Sequence, residues 1–179
     1  DIFLELIEID STNPAFWNNL ANSYRNRDMN EQAERTYQKA FEVAPDFLQT
    51  FENYGGFHFR LGNYDRALDT YQKAISLDSS LLQFWFLTGY SAYLGKQFDI
   101  AEEAFKKYIS MQPDQAFGHA FLGATFNKMG RYTEAGEELQ RALKLDPTNS
   151  FAESQLGYRH FLQGDLEEAA AQYDRILKK

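Results

Sequence analysis

The sequence has 179 residues, 44% of them apolar and 25% charged, with a formal net charge of −8 and no cysteine. That balance supports a continuous apolar core and excludes a disulfide framework or a cysteine-based metal site. The acidic sign argues against a broad nucleic-acid interface, which wants clustered basic surface, and against an anionic membrane surface. No run approaches the roughly 18 consecutive apolar residues of a membrane span, and a cysteine-free chain suits cytoplasm and periplasm alike.

Residues 1–13 read as one helix, with Phe3 and Leu6 on its apolar side. The next stretch places Trp17, Leu20, Ala21 and Tyr24 at the spacing of one amphipathic stripe, and Ala33, Tyr37, Ala40 and Phe41 repeat that stripe on a second helix. From there the pattern recurs. Ala33, Ala67, Ala101, Ala135 and Ala169 stand 34 residues apart without insertion or deletion. Ala21, Gly55, Gly89, Gly123 and Gly157 precede each of them by 12 residues, and Tyr37, Tyr71, Phe105, Leu139 and Tyr173 follow by four. Between the two helices of a pair lie Leu61-Gly62-Asn63, Leu94-Gly95-Lys96, Met129-Gly130-Arg131 and Gln163-Gly164-Asp165, where Gly is expected to take the left-handed conformation that ends a helix. Pro45, Pro113 and Pro147 mark the turn after the second helix. Small residues on a helix face let a neighbouring backbone approach, so the Ala and Gly columns serve packing. Tyr108 departs from the pattern at a place held by Ala40, Ala74 and Ala142, and is expected to widen the local packing.

A fixed period in this range is the mark of stacked helical hairpins, and this one resembles the tetratricopeptide repeat family over nearly the whole chain. The resemblance implies an all-α fold, a right-handed superhelical solenoid of antiparallel helix pairs. Its repeats fall at 14–47, 48–81, 82–115 and 116–149, with a partial fifth at 150–179. Residues 1–13 are then the second helix of a preceding repeat, and 1–179 form one domain. The sequence reads as an excerpt of a longer array.

Catalysis finds no foothold. His58 and His160 occupy the column of Tyr24 and Phe126 inside the packing stripe, and His119 takes the column of Trp17. No carboxylate stands at ligand spacing from them, so no metal and no cofactor is expected. The pairs Glu102-Glu103, Glu137-Glu138 and Glu167-Glu168 are sequence neighbours that splay about 100° apart on a helix, poor geometry for paired acid–base work. Arg66, Lys73, Lys106, Lys107, Arg141 and Lys144 lie among acids on second helices and read as a solvated outer face.

The resemblance implies that first helices line a concave groove for a peptide or helix. Carried onto this sequence, the groove residues are Asn18, Asn22 and Arg25, then Asn53 and Phe59, then Phe86, Tyr90 and Tyr93, then Phe117 and Phe121, then Phe151 and Tyr158. Gln49, Glu52, Asn127 and Phe161 are expected to face the same groove. The aromatic part suits a helical or extended segment with apolar side chains. The competing reading, in which the rings fill gaps between neighbouring helices, stays open. Members of the family that grip a terminal carboxylate carry cations where this sequence has Gln83 and Leu87, so that ligand is disfavoured. The expected partner is a protein or peptide, with no nucleic acid and no direct membrane insertion. Self-association through terminal helices or the groove is one alternative, and a substrate-recruiting arm of a larger enzyme is another.

Overall fold

The computed structural model describes residues 2–177. Among them there are 11 helices and no strand. In chain order they are α1 (Ile2–Ile9), α2 (Pro14–Asn26), α3 (Asn30–Val43), α4 (Leu48–Arg60), α5 (Tyr64–Leu77), α6 (Leu82–Leu94), α7 (Phe98–Met111), α8 (Ala116–Lys128), α9 (Tyr132–Leu145), α10 (Ser150–Gln163) and α11 (Leu166–Leu177). No helix is long and apolar enough to cross a membrane among the described residues. The chain divides into two compact units, one running to Phe84 and the other beginning at Trp85.

Local chemistry sets the ends of the helices. Asn13 accepts a hydrogen bond from the Ala15 amide at 3.0 Å with Pro14 at the first helical position, and Asn149 accepts from the Ala152 amide at 2.9 Å. Asp10, Asp78 and Asp146 each accept from the backbone amide and the hydroxyl of the residue two further on, Thr12, Ser80 and Thr148, at 2.6–2.9 Å. These bonds hold the Asp10 and Asp78 carboxyls below their ordinary range.

Within each helix pair the turn passes through one residue with positive φ. Gly62, Gly130 and Gly164 fill that place at +75°, +76° and +87°, as their sequence context indicates. In the other two turns the left-handed residues are Asp28 at +57° and Lys96 at +62°. The sequence assigned that conformation to Gly95, and the structure moves it one residue on, because the 34-residue register aligns Lys96, not Gly95, with Gly62 and Gly130.

In the first unit Ala21, Ala33, Tyr37 and Phe57 form a buried cluster flanked by Tyr24 and Tyr54. The Phe41 ring meets Phe51 at 4.8 Å and Tyr54 at 5.5 Å, joining α3 to α4. Glu34 gathers polar groups beside that cluster. The Tyr54 hydroxyl donates to it at 2.7 Å, the buried His58 ring lies 3.3 Å away and Arg66 3.6 Å away.

The second unit is built on Ala120, Leu139, Ala142 and Ala152, with Leu143, Phe151 and Leu156 packed around them. Glycines make the contacts close. A Cβ on Gly89 would stand 2.7 Å from the Phe105 ring, and one on Gly123 would stand 2.7 Å from Leu139. Tyr108 is accommodated by a compensating residue across the contact, since a Cβ on Gly118 would meet the Tyr108 ring at 2.8 Å. The large residue at the Ala column is thus answered by a missing side chain on α8. On the outer side Glu102 of α7 binds Lys106 at 2.6 Å and Arg131 at 2.5 Å, and Arg131 also pairs with Glu134. These bonds raise the Arg131 guanidinium further and hold Glu134 down.

A candidate peptide-binding face

The rings named from the second unit converge on Phe121. Phe151 lies 4.6 Å from it between ring centroids, Tyr90 5.1 Å, Phe86 5.5 Å, Phe105 5.6 Å and Tyr93 6.3 Å. Helices α6, α8 and α10 therefore share one aromatic face, with Phe121 of α8 at its middle. Phe86, Tyr90, Tyr93, Phe121, Phe151 and Tyr158 are all half-buried, whereas Phe117 is 56% exposed. The face is anchored from beneath: Phe105 of α7 is fully buried and stacks on Phe121 at an interplanar angle of 22°. The rings thus present an edge or face to solvent while resting on the core, a double service that the repeat pattern did not distinguish.

Polar groups sit at one border. The Lys128 ammonium lies 4.7 Å above the centre of the Tyr158 ring and donates to its hydroxyl at 3.3 Å. Asn127 is buried and donates to the Gln155 carbonyl at 2.9 Å, which ties α8 to α10. Burial raises the Tyr93 phenol above its ordinary value, with Tyr158 and Tyr90 acting in the same direction, so its hydroxyl stays a hydrogen-bond donor.

The residues named from the first unit have internal partners. Asn18 is only 2% exposed, and its side-chain oxygen accepts from Asn53 at 3.2 Å. The Asn22 oxygen accepts from the Tyr37 hydroxyl at 2.7 Å. Arg25 uses its backbone carbonyl to accept from Arg60, and Phe59 packs edge-on to Tyr64 at 5.4 Å. Asn18, Asn22 and Asn53 thus join α2 to α3 and α4, with Arg25 and Phe59 bordering them. The repeat register correctly grouped them on neighbouring helices but could not reveal which side chains would bond each other.

One device escaped the sequence reading altogether. The Trp17 indole donates to the Ser11 carbonyl at 2.8 Å, and His119, at the same column, sets Nε2 at 2.8 Å from the Pro113 carbonyl. Both span six residues, pinning the first helix of a pair to the preceding loop. His119 adds a second contact through Nδ1, 2.6 Å from Glu138 on α9. The signal was available in the shared column, since indole and imidazole both carry a ring N–H. No group of three or more His, Cys, Asp or Glu residues that could hold a metal occurs among the described residues.

Residues 17–146 match the family described as the cilia and flagella-associated protein 70 middle TPR-like domain. The chain belongs to this family. Residues 128–179 also match the tetratricopeptide repeat itself. No curated protein sequence matches the chain. Among solved structures, MamA residues 41 to the end from Desulfovibrio magneticus RS-1 superposes with a TM-score of 0.82 at 19% identity, covering 92% of this chain and 93% of that one. YrrB, described as a TPR protein with an unusual peptide-binding site, gives 0.78 at 18% identity over 99% of this chain and 92% of its own. The PilF protein of Pseudomonas aeruginosa gives 0.71 at 19% identity, over 94% and 77%. At these identities the likeness establishes the fold, an all-helical TPR architecture.

Proposed function

We propose that this TPR-like domain is a non-catalytic binding module, and that the aromatic face of α6, α8 and α10 holds a helical or extended segment of another protein by its apolar side chains. The observation that carries this reading is the gathering of four half-buried rings, Phe86, Tyr90, Tyr93 and Phe151, around Phe121, beside the exposed Phe117. Aromatic side chains with one face in solvent offer large contact area at low ordering cost, which is what interface anchors need. Membership of a TPR-like family and the peptide-binding site ascribed to YrrB support it. The same reading keeps the repeat partition given above, with Asn22, Arg25, Asn53 and Phe59 lining the corresponding surface of the first unit, while Asn18, expected there from the sequence, is buried and ties α2 to α4.

The test is selection of short random displayed peptides against the whole chain. Binders rich in bulky apolar residues are expected. Phe117→Ser and Tyr90→Ser are expected to weaken them at least about tenfold, as loss of an interface anchor does, with little change in thermal midpoint for Phe117→Ser. A library that yields no binder, or binders indifferent to both substitutions, overturns the proposal.

Self-association is a second reading, favoured by exposed Ile2 (65%), Ile9 (82%) and Leu177 (83%) on the outermost described helices. Light scattering over a wide concentration range decides it: a constant monomer mass removes this alternative.

A further inference from the structure

Resting on the groove reading above, we propose that the bound segment carries a carboxylate beside its apolar side chains, and that Lys128 together with the Tyr158 hydroxyl receives it. The chain has 26 acidic against 18 basic residues, yet α6 contains no charged side chain at all, and α8 carries Lys128 at its last position as its one Lys or Arg, with no Asp or Glu. His119 of α8 is buried and committed to Glu138 and Pro113. The α6 and α8 part of the aromatic face is therefore a neutral strip with a single cation at its border, on a molecule with more acids than bases; α10 adds Glu153, Arg159, whose tip lies against Gly136 of α9, and His160, which lies 3.7 Å from Asp165.

The setting of that cation points to an anionic acceptor. Elsewhere in the second unit, Lys106 and Arg131 find carboxylates at 2.6 Å and 2.5 Å. Lys128 meets a phenol oxygen and the face of a ring, and no Asp or Glu among the described residues lies within the 4.0 Å of an ion pair. A lysine ammonium has three donors and one is used on Tyr158, so the others face solvent. Because the Tyr158 oxygen accepts from Lys128, its own O–H is left to donate to a ligand. Two donors, one of them charged, then flank a ring surface. A carboxylate next to an apolar anchor completes such a site, while a Lys or Arg at that place meets like charge.

The experiment runs peptide selections in parallel on the wild-type chain and on Lys128→Glu. Expected are apolar binders with Asp or Glu at a constant offset in the first selection, and Lys or Arg at that offset in the second. For one wild-type binder, replacing its acid by the matching amide is expected to weaken binding about tenfold, and to have no effect on the Lys128→Gln chain. Apolar binders without acid preference, or with the same preference in both selections, overturn this inference and leave the groove reading intact. Absence of apolar binders from both selections overturns the groove reading and this inference with it.

Discussion

The Tyr71 ring covers Gly55 so closely that a Cβ added to the glycine would stand 2.3 Å from Cε1 of the ring. Alanine is the better helix former by about 1 kcal/mol, but here the ring of a fully packed residue must move, and overpacking of this kind costs about 1–3 kcal/mol. Gly55→Ala is therefore expected to lower stability by about 1 kcal/mol net in urea unfolding. Gly123→Ala is expected to behave likewise, since it meets Leu139 at 2.7 Å and the Ala135 carbonyl at 3.1 Å. Gly136→Ala is the opposite case: its neighbour is the tip of the Arg159 side chain, which can swing aside. A gain of about 0.5 kcal/mol is expected there, and a loss as large as that of Gly55→Ala would refute the distinction.

Lys96 holds a left-handed backbone at φ +62° where Gly62 and Gly130 do so in equivalent turns. That conformation costs a side-chain-bearing residue about 1–2 kcal/mol. Lys96→Gly is expected to raise the unfolding free energy by about 0.5–1 kcal/mol after the entropy of glycine is counted. Gly62→Ala is expected to lower it by about 1 kcal/mol, even though no atom lies within 4 Å of the added methyl group. Equal midpoints for Lys96→Gly and wild type would show that the turn is not strained.

Stability is expected to fall at both ends of the pH scale. Burial pushes Tyr37 from 10.0 up to about 12 and raises Tyr54 and Tyr71 further. Below pH 10 both folded and unfolded chains keep these protons; above it the unfolded chain releases protons that the folded chain retains. Folding free energy is then lost at about 1.4 kcal/mol per pH unit per phenol. For Tyr37 the loss is complete near pH 12. Tyr71→Phe is expected to flatten this slope in urea titrations at about pH 9 and pH 11. His58 runs the other way: burial lowers it from 6.5 against the pull of Glu34. Its contribution is present above pH 6.5 and lost as pH falls through the lowered value, so His58→Phe is expected to reduce the acid slope. An unchanged slope in either variant would count against the assignment.

Glu138 supplies the partner for Nδ1 of a His119 ring that is 1% exposed. Removing it by Glu138→Ala leaves a buried polar atom unpaired, at a cost of about 1–3 kcal/mol. In a His119→Phe background the same change is expected to cost less than about 0.5 kcal/mol, because only the exposed Arg141, 3.6 Å away, is left to pair. Additive effects in this double-mutant cycle would mean that the two side chains act independently.

The helices were legible because their apolar stripe and their small-residue column return at one interval, and register alone determines which residues share a face. Partners across a contact were less legible. The column of Asn18 and Glu52 says nothing of the bond Asn18 makes to Asn53, and Tyr108 gave no hint that Gly118 would make room for it. The aromatic face was hardest to separate from the core. Helices α6 and α8 carry apolar residues nearly all round, so periodicity cannot tell a ring that seals the interior from one that borders it. Phe121 does both, stacking on buried Phe105 while meeting Tyr90 and Tyr93.

Asp10, Asp78 and Asp146 stand 68 residues apart, and the places midway between them belong to Ala44 and Gln112 followed by Pro45 and Pro113. The carboxylate-knotted corner therefore alternates with corners that lack it; an imino ring stiffens those two and also follows Asp146, as Pro147. A graft that shifts a hairpin by a single pair would install the wrong corner at each splice. Shuffling by double hairpins keeps every corner intact, which makes two pairs the smallest cassette for building longer or shorter versions of this protein.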